Sequence, residues 1–381
     1  MKGPLSEIRV VDLTDERAIY GAKLLADLGA DVVRLEPPEG DPLRHRGPSK
    51  DDISLWHLFF ASNRRFFSID LDTDQATLAS ILEKTDILLT SRDGFGADVI
   101  DFDTVEADHP ELIIIDTTPF GREGPWKEFS APDLVAGALA GAVATTGDVD
   151  TPPLKPFGEL NFMVSGVYVA IAALAALFEK RHSGRGQRVD VSVHECIASC
   201  LEQVLMFYWY HDRLQREPVL PRRGALHWSD AYAVFPTSDG AVMMTPTPDF
   251  DNQLVWLIEE GVAENLLDPK YQEPEFLRER THKTMDIMKR WALTKEAEPF
   301  FHEAQARHSP YGWVIPIGKM VENQQLEARM WFREYEVDGK TIKGPGAPYV
   351  FSQTPWRTGT YDTTPGAIDE ILSDIGWGEP S

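Results

Sequence analysis

The feature that most constrains this fold is an alternation, early in the chain, between short runs apolar at nearly every position and segments with helical spacing. Ile8 to Leu13 is the first run, and Ala18 to Leu28 repeats apolar residues at helical intervals before Gly29, a natural C-cap. Ala30 to Glu36 is the next run, and Pro37-Pro38 stops regular structure. Phe66 to Leu71 predicts a third strand, and Asp72 or Thr73 can cap a helix running through Glu83. Asp86 to Thr90 and Leu112 to Asp116 complete the series. Strands without a polar face must be covered on both sides, and helix-length connections make neighbours parallel. The expected fold class is α/β, with a Rossmann-like parallel sheet forming a large domain. No G-x-G-x-x-G follows any of these strands, so no dinucleotide is inferred.

The most apolar stretch, Phe162 to Phe178, extends as a helix to Arg181. It is slightly short for a membrane span, rich in Ala and Gly, and flanked by Asn161 and Glu179-Lys180-Arg181, so a buried helix is expected and no membrane. Arg188 to Ser192 reads as another strand, and a long helix is expected from about Val193 to Arg213. From about Gly224 the pattern changes. Ala231 to Phe235 and Ala241 to Thr245 suggest a hairpin, and charged helices follow through His308. A helical piece is expected around Met320 to Phe332, and a short helix near Ile368. A chain of 381 residues exceeds one compact core. Residues 1–223 and 331–381 are therefore assigned to the large domain and 224–330 to a smaller α+β domain.

Charge narrows the partners. With 61 acidic and 37 basic residues the formal net charge is -24. Such a surface repels phosphate backbones and anionic bilayers, so no nucleic acid is expected. Cys196 and Cys200 are too few for a disulfide framework, which suits a reducing compartment. With His194 nearby they lack the Cys-rich spacing of a zinc site and read as buried thiols, so no metal is expected. The opening MKGPLSEIRVVDL has no apolar signal core, and a cytoplasmic protein is expected.

Several strings, in order along nearly the whole chain, carry a resemblance. They are Val10 to Thr14, Leu24 to Pro38, Gly40-Asp41 with Arg44, Asn63-Arg64, Ser68 to Leu71, and Asp86 to Leu89. Phe120-Gly121, Gly124-Pro125, Ala172 to Leu174, Gly184 to Gln187, Asp190 to Ser192, Phe235 to Gly240, Gly344 to Pro348 and Ser352 to Pro355 continue them. Together these resemble the family III CoA-transferases of the CaiB/BaiF group. The resemblance implies a large Rossmann-like domain built from both chain ends, a small domain from the middle, and an intertwined dimer. It implies coenzyme A as a thioester substrate and no permanently bound cofactor. It also implies a mechanism: an aspartate attacks the acyl-CoA carbonyl, giving a mixed anhydride and free CoA thiolate, and nearby amides stabilise the oxyanion.

The aspartate is missing. The family places it four residues before a Gly that an aromatic follows; here these are Gly166 and Tyr168, so Phe162 stands at the position, or Asn161 if the register slips by one. Phe offers no lone pair and an Asn amide is a poor nucleophile. The nearest carboxylate in sequence is Glu159. The basic pair that meets CoA phosphates is replaced by Phe66-Phe67, and Thr90 to Gly96 stands where the family carries an Asn-Phe pair, an arginine and Pro-Gly. Arg17, Arg34, Arg44, Arg64, Arg65 and Arg92 are the candidates left to hold CoA. Phe66, Phe67, Phe162 and Trp228 could line an apolar site or pack in the core. Pro132 stands before Asp133 where related racemases carry a histidine, which argues against proton-shuttling racemisation.

Three readings stay open here. The chain can be a transferase subunit whose nucleophile sits on a related partner subunit, which the coincident losses favour. It can be an active homodimer using Glu159. Or it can be a non-enzymatic homologue that binds another ligand.

Overall fold

The computed structural model describes residues 2–148, 150–214, 222, 231–246, 249–357 and 359–366. They form two compact units: described residues within 1–142, 155–202 and 324–381 make the first, and those within 143–154 and 203–323 the second.

The first unit is built on six parallel strands, β1 (Arg9–Leu13), β2 (Asp31–Glu36), β3 (Arg64–Ser68), β4 (Ile87–Ser91), β5 (Ile113–Thr118) and β6 (Arg188–Ser192). Their spatial order is β3-β2-β1-β4-β5-β6, the doubly wound order. The chain's direction of travel reverses between β1 and β4, which opens a crevice at the carboxyl ends of those strands. Helices α1 (Ile19–Asp27), α2 (Leu55–Ala61), α3 (Gln75–Leu82), α4 (Phe102–Asp108), α5 (Asp133–Leu139) and α6 (Leu160–Ser183) complete the first unit's main framework. Val11, Val33, Leu88 and Ile114 pack with Leu78, Ile81 and Phe102 on one face. Val10, Val32, Ile87 and Ile113 pack with Leu25, Val169 and Ala173 on the other. Double coverage is why the strands are apolar at most positions, with Asp12, Arg34, Glu36 and Arg64 among the exceptions, buried as ion pairs, and the α/β class expected from the sequence is the one observed.

The α6 helix has two unlike faces. Phe162, Ser165, Gly166, Val169, Ala170, Ala173 and Ala176 are buried, and the helix packs on α1. Small side chains let the two backbones approach. A Cβ on Gly166 would lie 2.7 Å from Tyr20 Cβ and 2.9 Å from Gly21 N, and one on Gly21 would lie 2.6 Å from Val169 Cγ1. Leu160, Val167, Tyr168, Ile171, Leu174 and Phe178 form a second stripe that is exposed. By length and composition alone α6 could cross a membrane. Gly184 ends it at φ 71°, its N–H bonded to Lys180 O. Gly166→Val is expected to force α1 and α6 apart and cost about 1–3 kcal/mol or more. Urea unfolding would read this as a lower midpoint.

The second unit carries β7 (Ala233–Pro236), β8 (Ala241–Met244) and β9 (Gly312–Trp313), antiparallel in the order β9-β8-β7. Its helices α9 (Phe250–Glu259), α10 (Leu277–Ala292) and α11 (Ala297–Ala306) follow α7 (Val193–Ala198) and α8 (Glu202–Leu214) in the chain. Trp256, Trp291, Phe300 and Tyr311 centre its core.

Four details differ from the sequence reading. The third strand begins at Arg64, two residues early, because Arg64 is neutralised inside the protein. The helix over Gln75–Leu82 follows Asp74, not Asp72 or Thr73. The expected helix from Val193 to Arg213 breaks at a 3₁₀ turn, Ser199–Leu201. There Ser199 Oγ donates to Cys196 O at 2.8 Å, the back-bonding that bends helices. The expected helix reaching Phe332 is instead α12 (Ile317–Met320) and α13 (Gln324–Ala328), followed by a hairpin of β10 (Phe332–Val337) and β11 (Lys340–Pro345). Its turn, Asp338-Gly339, has both φ values positive, 49° and 73°, the tight hairpin geometry. The helix expected near Ile368 and the residue Trp228 lie outside the described residues.

Candidate functional site

The position expected to hold the nucleophile lies in the first turn of α6, and it is closed. The Phe162 ring packs with Ala131, Ala136, Ala140, Val193 and Ile197. Phe162 N donates to Asp133 Oδ2 at 3.0 Å. Asn161 Nδ2 donates to Asp133 Oδ1 at 3.0 Å and to Asp133 O at 3.1 Å. Gly137 makes room, since a Cβ there would lie 2.5 Å from Asn161 Nδ2. Asp133 thus ties α5 to the amino end of α6, where exposed N–H groups favour an acid. Sequence reasoning named Asp133 only beside Pro132, in setting aside racemisation, and gave it no role at the start of α6. The available signal was an acid directly after Pro132, at a helix start.

Glu159 stands at the N-cap of α6 but makes no capping hydrogen bond. Its carboxylate turns to an ion pair with Arg46 and accepts from Trp56 Nε1 at 3.2 Å. Arg46 lies over the Trp56 ring, 4.8 Å from its centroid, and 3.6 Å from Glu16. Arg46 and Trp56 were not singled out in the sequence; nothing local connects them to Glu159, which follows Arg46 by 113 positions.

The six candidate arginines are each committed to an acid of this chain. Arg17 pairs with Asp15 and with Asp93 at 2.7 Å, and Arg92 with Glu128, beside the β1–β4 crevice. Arg65 reaches Asp31 at 2.7 Å. Arg34 and Arg64 meet on one buried carboxylate, Asp12 Oδ2, at 2.9 and 2.6 Å. Arg34 also grips Asp41 at 2.6 Å, and Arg64 donates to Ile19 O at 2.7 Å and Phe60 O at 2.6 Å. Burial disfavours the charge on Asp12, but the two guanidiniums and two Thr14 donors outweigh it and hold its carboxyl below the usual range. Arg44 bonds Glu36 at 2.8 Å and reaches Tyr361 OH, Asp362 O and Thr363 O, anchoring the returning segment.

His57 completes this buried cluster. Its Nδ1 lies 2.7 Å from Tyr361 OH and its Nε2 3.7 Å from Asp41. Burial lowers its pKa from 6.5 to about 4, with Asp41 opposing. The unfolded chain therefore binds a proton that the folded chain refuses. The stability this gives is complete above about pH 6.5 and is lost as pH falls toward about 4. It amounts to about 3 kcal/mol at most. Unfolding measured across that window is expected to flatten in His57→Gln. One ligating atom each from Glu36, Asp41 and His57 lie within 4.8 Å of one another, yet each carboxylate already holds an arginine. A cation there would displace Arg34 or Arg44.

The phenylalanines do not line one pocket. Phe66 packs with Ile19, Leu58 and Tyr335, Phe67 with Val11 and Leu35, and Phe162 in its own cluster. Phe120 packs against the Phe162 cluster and, with Glu123, Pro125, Trp126 and His194, lines an open groove of about 240 Å³. Cys196 is buried, which pushes its thiol up to about 12, whereas Cys200 is exposed, against the expectation of two buried thiols.

Comparisons with known proteins bear on the family and the fold. Residues 5–366 match CoA-transferase family III. The chain is 29% identical to the succinyl-CoA:(R)-benzylsuccinate CoA-transferase subunit BbsE of Thauera aromatica, over 98% of this chain and 94% of that one. It is 29% identical to the succinate–glutarate CoA-transferase of Agrobacterium fabrum, over 93% and 91%. A CAIB/BAIF family protein from Brucella suis superposes with a TM-score of 0.80 at 22% identity, over 98% of this chain and 100% of that one, which supports the fold.

Proposed function

This chain belongs to CoA-transferase family III, whose members work on CoA thioesters, and on that premise we propose that it is the subunit of a heteromeric transferase that does not itself hold the nucleophile. The observation that carries the reading is the first turn of α6. A carboxylate nucleophile belongs there, and an apolar ring fills the space while its backbone N–H is committed to Asp133. Glu159 faces Arg46 and Trp56 instead of the vacancy, and donors that stabilise a carboxylate's charge also lower its nucleophilicity.

A relative matching nearly the whole chain is itself named as a subunit. The exposed apolar stripe of α6, Leu160 to Phe178, is a face that an intertwined partner of the same fold would cover. In this reading the partner is a related cytoplasmic chain carrying the aspartate, and it supplies the cations for CoA, since the six arginines here remain with their internal acids. The partner's carboxylate attacks the acyl-CoA carbonyl, and the thiolate leaves and returns as the acid is exchanged. Succinyl-CoA, named in the Thauera enzyme, is the donor to try first. The test is transfer by this chain alone against transfer by the chain co-expressed with an aspartate-bearing relative.

A further inference from the structure

Arg46, Trp56 and Glu159 form a recognition arrangement that the proposed role leaves unused. Two donors converge on one carboxylate: the Arg46 guanidinium, and the Trp56 indole N–H at 3.2 Å from Glu159 Oε2. The Trp56 ring stacks on the guanidinium at 4.8 Å, which orients its plane. The backbone beneath is fixed. Arg46 N donates to Leu43 O at 3.2 Å, and Ser54 Oγ bonds Arg46 O. Gly47, at φ 74°, lets the turn pass under Trp56, where a Cβ would come within 2.9 Å of Trp56 Cβ.

The occupant is less firmly held. Glu159 follows Phe157, which is fully exposed, and Gly158, at φ 70° with nothing near the position of its missing Cβ. An N-cap side chain ordinarily turns back onto its helix; this one does not. Roughly a third or less of each side chain, Arg46, Glu16 and Glu159, is open to solvent, so an outside anion can reach the cluster.

We propose that Arg46 and Trp56 are a clamp for the carboxylate of a small organic acid, with Glu159 as its resting occupant. The inference rests on the transferase reading and deepens it by giving the acid substrate a place on this chain. Glu159 competes with the incoming acid, so the clamp is free only when the Glu159 carboxylate leaves Arg46 and Trp56. Apparent affinity for an acid is then the intrinsic affinity scaled by the open fraction.

The test is calorimetric titration of succinate into the purified full-length chain. Glu159→Gln keeps the side-chain shape and removes the competing charge, and no helix cap is lost with it. Succinate is expected to bind Glu159→Gln at least about tenfold more tightly than the unmodified chain. Adding Arg46→Gln must remove that gain. Adding Trp56→Phe, which keeps a ring beneath Arg46 but loses the N–H, must reduce it at least about threefold, and this covers the case in which the Arg46 variant fails to fold. Equal affinity in Glu159→Gln and the unmodified chain overturns the clamp, as does a gain that survives both additions. These titrations use the chain alone. An inert co-purified pair would therefore sink the subunit reading and leave the clamp standing, whereas an active pair with unchanged succinate affinity would sink only the clamp.

Discussion

Purified without a partner, this chain will move CoA from succinyl-CoA to a second acid at least about 10⁴-fold more slowly than when co-purified with an aspartate-bearing relative. The size of the effect follows from what is missing. A carboxylate nucleophile splits the transfer into two easier steps by forming an activated acyl intermediate. In this chain the side chain at that point is a phenyl ring packed against Ala131, Ala136 and Ile197. Two carboxylates lie nearby and both are engaged. Asp133 accepts from Asn161 and Phe162 N, and Glu159 from Arg46 and Trp56. Moving either into attack would break charge-assisted hydrogen bonds before any chemistry began. A coupled assay with the single chain and with the pair gives the ratio directly. A single chain within about tenfold of the pair would mean that it carries its own nucleophile.

The largest effect on stability will come from Asp12→Asn. Asp12 is fully buried on β1 and is the shared counter-ion of Arg34 and Arg64, themselves buried on β2 and β3. Removing its charge leaves Arg34 with Asp41 but leaves the Arg64 guanidinium hydrogen-bonded to two uncharged carbonyl oxygens, Ile19 O and Phe60 O. An uncompensated buried charge costs about 3–5 kcal/mol. For a unit of this size that lowers the melting temperature by on the order of 10 °C. A loss under about 1 kcal/mol would mean that these arginines are not anchored, and Arg34 and Arg64 would return as cations for CoA.

The contrast between Phe162 and Arg64 marks how far the sequence could be read. Strands were legible because coverage on both faces leaves few polar positions, so Val10-Val11 and Ile113 to Ile115 declare themselves without knowledge of neighbours. The departure at Phe162 from the expected aspartate was legible because the identity of one residue is a local fact. Partnership is not local. Arg64 finds Asp12 across 52 positions, Arg46 finds Glu159 across 113, and Arg44 finds Tyr361 across 317. Arg34, Arg44 and Arg64, offered by the sequence as cations for CoA, pair in the fold with the strand acids Asp12 and Glu36. The same blindness hid the role of Asp133, whose bonds depend on α6 starting beside α5. Phe66 and Phe67 could be read as pocket or core until adjacent positions on one strand sent them to opposite faces.

The central claim is that the nucleophile belongs to a partner. Its most direct test is to incubate the co-purified pair with succinyl-CoA, trap the acyl intermediate with hydroxylamine or borohydride, and map the modified residue by mass spectrometry. The modification is expected on an aspartate of the partner, with every peptide of this chain unmodified. A modification at Glu159 or Asp133 would contradict the account.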